Sequence, residues 1–283
     1  MLQLTREILD LIDRALAEDM AAQDPTSSAL IPADQLGEAV VLAKAPGVLA
    51  GISVARAVFA RVEPLLETEA LLPDGASLNP GDHIARIQGP VGGILRGERT
   101  ALNFLQRMSG IATETARYVR AVKDLPVQII DTRKTAPGHR YLDKYAVRMG
   151  GGHNHRQNLA DGILIKDNHI AAMRVQGFTL AEVVRRALEL APHTLKVEVE
   201  VESVEEAREA MEAGAHILLL DNMNLEDMRA AADLARGHAL TEASGGLNLE
   251  TVRAVAETGV DLISSGALTH SVTALDISME LQV

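Results

Sequence analysis

The chain has 283 residues, is 47% hydrophobic and carries a formal net charge of −12, enough apolar material for one large core or two modest ones and the wrong sign for a general nucleic-acid surface. No apolar run approaches the roughly 20 residues that span a bilayer, and the opening MLQLTREILDLIDRALAED alternates acids with Leu and Ile as an amphipathic helix does, unlike a signal peptide. Cysteine is absent, which excludes disulfides and thiolate chemistry and fits a cytoplasmic protein, and three Phe, three Tyr and no Trp leave few platforms for stacked bases.

After the first helix, VVLAKAPGVLAG reads as a strand broken by Pro46 and Gly47, and SVARAVFARVEPLL as a helix. Pro73-Asp74-Gly75, Asn79-Pro80-Gly81-Asp82 and Gly89-Pro90 then read as tight turns between short strands. Residues 1–110 are therefore expected to form an α+β domain. From Glu98 the apolar spacing predicts a long helix reaching Val122, which leads into a second domain over 111–283.

From Val127 onward the pattern is apolar strand, polar loop, amphipathic helix, glycine, next strand, as in successive βα units. Gly214, Gly237 and Gly259 sit where helices stop, Ser203 to Glu206 matches a capping box, and Asn224 and Asn248 occupy cap positions. About six such strands fit between 127 and 270, fewer than the eight of a full barrel. An incomplete or modified α/β (TIM-like) barrel is expected, with a doubly wound sheet as the alternative.

The stretch from Asp131 to Ile170 packs seven Lys and Arg against four Asp into forty residues of this acidic chain. The runs Val127 to Ile130 and Gly162 to Ile165 each end abruptly in charge, at Asp131-Thr132-Arg133-Lys134 and Lys166-Asp167-Asn168-His169. Strand C-termini are where α/β folds place their chemistry, so the expected ligand is a small polyanion. Arg133 and Arg156 suit carboxylates through the guanidinium fork, while Lys134 and Lys166 supply point charges. Along LKVEVEVES the alternation sends Glu198 and Glu200 into the barrel, with Glu200 nearer the mouth, and Asp221 ends HILLLD in the equivalent position. The competing account of those glutamates is an edge strand with solvated carboxylates. Ser244-Gly245-Gly246 and Ser264-Ser265-Gly266 follow the last two strands, where barrels often grip phosphate, although glycine turns alone would not require one. His153, His155 and His169 lack paired ligands at helix spacing, so hydrogen bonding to an anion is the expected role for this group rather than zinc.

In order, ALAEDMAAQDPTS, GERTALNFLQRMSGIAT, DTRKTAPGHRYLDKYAVRMGGGHNHR, ILIKDNHI, VEVEVES, LLLDNM, EASGG and SSGALTHS resemble the quinolinate phosphoribosyltransferase family over nearly the whole chain. Gln23, Ala136 and His139 are small departures that remove no charged site residue. The resemblance implies an open-faced α+β sandwich domain before the barrel, with the final helix packing back on it. It further implies a homodimer, able to assemble further, in which each N-terminal domain covers the partner's barrel mouth. It also implies transfer of phosphoribose from 5-phosphoribosyl 1-pyrophosphate to quinolinate, with loss of carbon dioxide, in NAD synthesis, and Mg²⁺ as cofactor. On this reading Arg99 comes from the partner subunit, Thr132 lines the loop, and Arg133, His155, Arg156 and Lys166 hold the two carboxylates. Lys134 lies near the pyrophosphate compound, and Glu200 and Asp221 address its ribose or Mg²⁺. Ser244, Gly245 and Gly246 with Ser265, Gly266 and Ala267 hold its 5′-phosphate. A Schiff-base lyase using Lys166 and a paralogue with another acceptor are the competing functions.

Overall fold

The computed structural model describes residues 2–282, which fall into two compact units. The first is built from residues 1–116, 135–151 and 268–283, and the second from 117–134 and 152–267. Three separate stretches thus make the first unit, and the last of them ends in a strand where a closing helix is expected.

The first unit begins with α1 (Arg6–Glu18), α2 (Pro25–Leu30), β1 (Leu36–Ala43), β2 (Gly47–Val48) and α3 (Ile52–Val62). It continues with β3 (Glu67–Ala70), β4 (Ser77–Leu78), β5 (His83–Pro90) and most of α4 (Val91–Ala121). Its main sheet has the antiparallel order β12-β1-β5-β3, where β12 is Ile277–Gln282. The central strand β1 is buried from Ala39 to Ala43 on both faces, which explains its unbroken run of apolar residues. In α3 the buried residues Ile52, Ala55 and Phe59 recur at i, i+3 and i+7, forming one apolar stripe. Full burial of a side chain such as Phe59 contributes roughly 1.5–3 kcal/mol.

The long helix begins at Val91, seven residues before the periodicity predicts, and Gly89-Pro90 end β5 instead of forming a free turn. Gly92 and Gly93 argue against helix by propensity, but packing overrides them. A Cβ on Gly93 would come within 2.7 Å of the Glu63 side chain, and one on Gly97 within 2.7 Å of the Phe59 ring. Gly110, further along α4, faces the backbone of Thr273 and Ala274, leaving no room for a side chain. Gly110→Val is expected to destabilise by about 1–3 kcal/mol in denaturant titration, as overpacking does. Gly92 has nothing within 4 Å of its Cβ position, so Gly92→Ala should stabilise by about 0.5–1 kcal/mol.

The helix α5 (Arg140–Met149) belongs to the first unit, although its residues lie within the basic stretch. Its Asp143 is fully buried and takes two bonds from the Arg107 guanidinium, at 3.1 and 2.8 Å, and its Tyr145 hydroxyl donates to Asp74 at 2.7 Å. Arg140, Lys144 and Arg148 therefore stand on a packed helix of that unit.

The second unit carries β6 (Gln128–Ile130), β7 (Ile163–Ile165), α6 (Asp167–Arg174), α7 (Leu180–Leu190), β8 (Val197–Val201) and α8 (Val204–Glu212). After these come β9 (Ile217–Asp221), α9 (Leu225–Ala235), β10 (Leu240–Ser244), α10 (Val252–Ala256), β11 (Leu262–Ser264) and α11 (Ala267–His270), whose last residues pass into the first unit. The six strands pair in parallel in the order β6-β11-β10-β9-β8-β7. The first strand therefore lies beside the last, as in a barrel, which rules out the doubly wound alternative. Between β6 and β7 the ring is completed only in part, by a bridge from Ile130 to His153. This is the incomplete barrel expected from the strand count.

Helix punctuation follows the sequence closely. Gly214, Gly237 and Gly259 have φ of 100°, 82° and 92°, the left-handed region that glycine enters at no steric cost. Asn224 accepts from the amides of Glu226 and Asp227, and Ser203 from that of Glu206. The Glu206 carboxylate reaches Glu202 instead of the cap residue, so only half of the capping box forms. Asn248 caps a turn ahead of α10, which starts at Val252.

Candidate active site

The C-terminal ends of the six strands surround a cavity of about 630 Å³ in the second unit. Thr132, Arg133 and Lys134 reach it from the end of β6, Lys166 from β7, Glu200 from β8, Asp221 from β9, and Ser244, Gly245 and Gly246 from β10. His155 and Arg156 enter on the segment between α5 and β7. Leu164, Leu219, Asn222, Glu242 and Ser264 complete the lining. Ser265, Gly266 and Ala267 are not among these residues. Ser265 is buried and donates its amide to the Ile130 carbonyl at 3.1 Å, which fastens β11 to β6. Arg99 lies exposed on α4 in the first unit.

Asp131 sets the cationic side of the cavity. This fully buried carboxylate accepts from the His155 amide at 2.9 Å and the Asn154 side chain at 2.6 Å, tying the segment that carries Arg156 to the end of β6. Arg133 has a buried Nε without a partner, an orphaned donor in a protein where buried donors are normally satisfied. Arg156 has its pKa lowered, first by burial and then by the charge of Arg133, with Glu198 acting in the opposite sense. A guanidinium whose charge is disfavoured by its neighbour, beside one with an unused donor, suits an anion between them.

The opposite side is acidic. Lys166 Nζ lies 3.6 Å from a Glu200 oxygen, and the Glu200 pKa is raised by burial, with Lys166 pulling it down and Asp221 and Asp167 pushing it up. Asp221 accepts from the Asn222 side chain at 2.7 Å. Asn222 has φ of 53°, and a Cβ on Gly245 would collide with it, so Gly245 at φ 99° is a steric requirement of this corner. Gly246, at φ 60°, has open space beside it and leaves its backbone approachable.

Beneath the mouth lies an acidic pair that the sequence reading used only in part. Glu198 on β8 and Glu242 on β10 are 5% and 2% exposed, and His155 Nε2 lies 3.2 Å from Glu198 Oε2 and 3.7 Å from Glu242 Oε2. The Arg156 amide donates to His155 Nδ1 at 2.6 Å, so the ring nitrogens of this residue face the protein itself. The signal for Glu198 is the strict alternation of β8; Glu242 stands alone in HALTEA with no such pattern.

A barrel-type sheet whose mouth sets paired guanidiniums against carboxylates and a glycine loop defines an α/β-barrel enzyme for an anionic substrate. Residues 24–109 match the family model for the quinolinate phosphoribosyl transferase N-terminal domain, and residues 111–280 that for the C-terminal domain. The chain belongs to the quinolinate phosphoribosyltransferase family. It is 43% identical over 275 residues to a probable nicotinate-nucleotide pyrophosphorylase [carboxylating] of Bacillus subtilis, covering 97% of this chain and 93% of that protein. It is 42% identical over 293 residues to the mitochondrial quinolinate phosphoribosyltransferase [decarboxylating] 2 of Nicotiana glauca, covering 98% and 83%. Among solved structures, NadC from Streptococcus pyogenes superposes with a TM-score of 0.93 at 42% identity, covering 100% of this chain and 99% of that one. The nicotinate-nucleotide pyrophosphorylase of Francisella tularensis gives 0.91 at 37%, covering 98% and 96%.

Proposed function

We propose that the chain transfers phosphoribose from 5-phosphoribosyl 1-pyrophosphate to quinolinate with decarboxylation, releasing nicotinate mononucleotide, pyrophosphate and carbon dioxide in NAD biosynthesis. Family membership over both domains supports the reaction, and the Arg133–Arg156 pair with its orphaned donor is the observation that supports a dicarboxylate acceptor.

Arg133, Arg156 and Lys166 receive the two carboxylates, and His155 forms the floor beside them. Lys134 lies on the side of the phosphoribosyl donor. Ser244, Gly245 and Gly246 offer hydroxyl and backbone donors for its 5′-phosphate. Glu200 and Asp221 face the ribose or a magnesium ion. The fit to magnesium rests on their chemistry: hard oxygen ligands from adjacent strands, with the Glu200 pKa raised first by burial, lowered by Lys166 and raised again by Asp221 and Asp167. Bound with the pyrophosphate, Mg²⁺ supplies charge stabilisation for the leaving group.

No protein nucleophile is needed. The pyridine nitrogen attacks C1 of the ribose as pyrophosphate leaves, and the carboxylates of Glu200 and Asp221 stabilise positive charge developing at C1. Quaternising the nitrogen makes the ring an electron sink, so the adjacent carboxylate is lost as carbon dioxide. The remaining task of the protein is to position and desolvate the substrate.

The same reading makes the enzyme a cytoplasmic homodimer in which the partner subunit's Arg99 completes each site. Among the described residues, no helix is long and apolar enough to cross a membrane. Presenting quinolinate and nicotinate in parallel, each with the phosphoribosyl donor and Mg²⁺, tests the acceptor. Nucleotide from quinolinate and little from nicotinate is expected, whereas turnover of nicotinate alone would overturn the assignment of the arginines.

A further inference from the structure

Decarboxylation leaves an electron pair on C2 of the pyridinium ring, and that carbon must gain a proton before nicotinate mononucleotide can leave. Of the mouth residues assigned above, the arginines do not give up a proton, Lys166 and Lys134 are placed on the carboxylates and the phosphoribosyl donor, and Glu200 and Asp221 face the ribose. A second cavity, of about 390 Å³, lies in the same unit at the other end of the barrel, lined by Gln128, Lys196, Ile217 and Leu262 at or next to the strand starts. Three residues line both chambers: His155, Arg156 and Glu242. They form the partition between the substrate mouth and the lower chamber.

The hydrogen bonds of that partition show where a proton resides. His155 Nδ1 accepts the Arg156 amide and so carries no proton, which places the imidazole proton on Nε2, directed to the nearer Glu198 oxygen. Glu198 is then the carboxylate that accepts from His155, at 3.2 Å. Glu242 is left 3.7 Å from Nε2, and the Oε1 atoms of both glutamates are buried and unpartnered. Two adjacent buried carboxylates against one neutral ring repel each other, and one shared proton removes that repulsion.

We propose that Glu242 is the proton donor to C2, reloaded from the lower chamber, an inference that rests on the decarboxylating reaction proposed above. The bond from C2 to its carboxylate breaks, carbon dioxide departs, and the electron pair remains on C2. That pair takes the Glu242 hydroxyl proton, forming C2–H and leaving a carboxylate. A solvent proton entering through the lower chamber restores the acid, so each turnover consumes one. Arg156 holds the carboxylate end of the substrate beside this group, and Glu198 with His155 keeps the Glu242 side chain in place.

The titratable groups facing Glu242 are His155 and Glu198, with the Ser264 hydroxyl from β11 as a further neighbour. Burial, followed by the charge of Glu198, raises the Glu242 pKa to about 8. A raised carboxyl pKa means that the acid form persists through neutrality and disappears as pH climbs past that value, so kcat should fall on the alkaline side.

The test is a rapid-quench single turnover of full-length Glu242→Gln with quinolinate, the phosphoribosyl donor and Mg²⁺. Expected is a fall in nicotinate mononucleotide formation of at least tenfold, with quinolinate mononucleotide accumulating because the carbanion recaptures carbon dioxide, both KM values within threefold, and no alkaline limb near pH 8. Glu242→Asp, which retains an acid, should recover part of the rate and the limb. Wild-type rates and an unchanged pH profile in Glu242→Gln would overturn the proposal, as would equal losses in Glu242→Gln and Glu242→Asp without the intermediate. A wild-type enzyme that makes no nucleotide would instead overturn the underlying reaction.

Discussion

Arg156→Ala raises the KM for quinolinate about 100-fold and leaves that for 5-phosphoribosyl 1-pyrophosphate within about threefold. The expectation follows from what Arg156 touches and from what its loss leaves behind. Its guanidinium is partly desolvated, and the charge of Arg133 lowers its pKa while Glu198 acts the other way, so a carboxylate bound between the arginines would offset the repulsion. Truncating one partner of a buried charge pair costs roughly 2–5 kcal/mol, and a 100-fold effect is about 2.7 kcal/mol. Arg156→Lys should recover little, because an ammonium cannot reproduce the planar fork that takes both oxygens of a carboxylate. Steady-state kinetics with each substrate varied in turn gives the answer. Equal effects on both KM values would place Arg156 on the phosphoribosyl side or in a purely structural role.

Asp143→Ala lowers stability by about 3–5 kcal/mol. Asp143 is fully buried, and Arg107, which points two donors at it, is only 28% exposed in its side chain. Removing the carboxylate strands the guanidinium next to a cavity and frees the Ala136 amide, which also bonds to it. For a chain of this size a loss of that order lowers Tm by several degrees. Thermal unfolding checks it, and the double variant Arg107→Leu with Asp143→Leu should recover much of the loss, since the cost lies in the unpaired charge. A single variant within 1 kcal/mol of the wild type would mean that Arg107 escapes to solvent.

These two residues also show what the sequence could and could not convey. Arg133, Lys166 and Glu200 were legible because strand-end position and charge coincide, and Arg156 because it follows the histidines of the basic stretch; all four line the cavity. Lys144 and Asp143 lie in the same basic stretch, yet α5 turns them into the first unit, because charge density reports no direction and the packing of Leu142, Tyr145 and Val147 decides it. The start of α4 was hidden for a different reason. Gly92 and Gly93 read as turn residues, and only the contact of Gly93 with Glu63 and of Gly97 with Phe59 explains why a helix carries them. Glu242 escaped notice because one acid in a five-residue strand has no periodicity. Its importance arises from Glu198 and His155, which the fold brings to it from two distant parts of the chain.

The central claim is best tested with quinolinate labelled in its C2 carboxyl group, counting carbon dioxide and nicotinate mononucleotide from the same reaction. The account predicts that the two appear in a ratio of one to one and that neither forms when the phosphoribosyl donor is omitted. Carbon dioxide released without the donor, or nucleotide that retains the label, would contradict it.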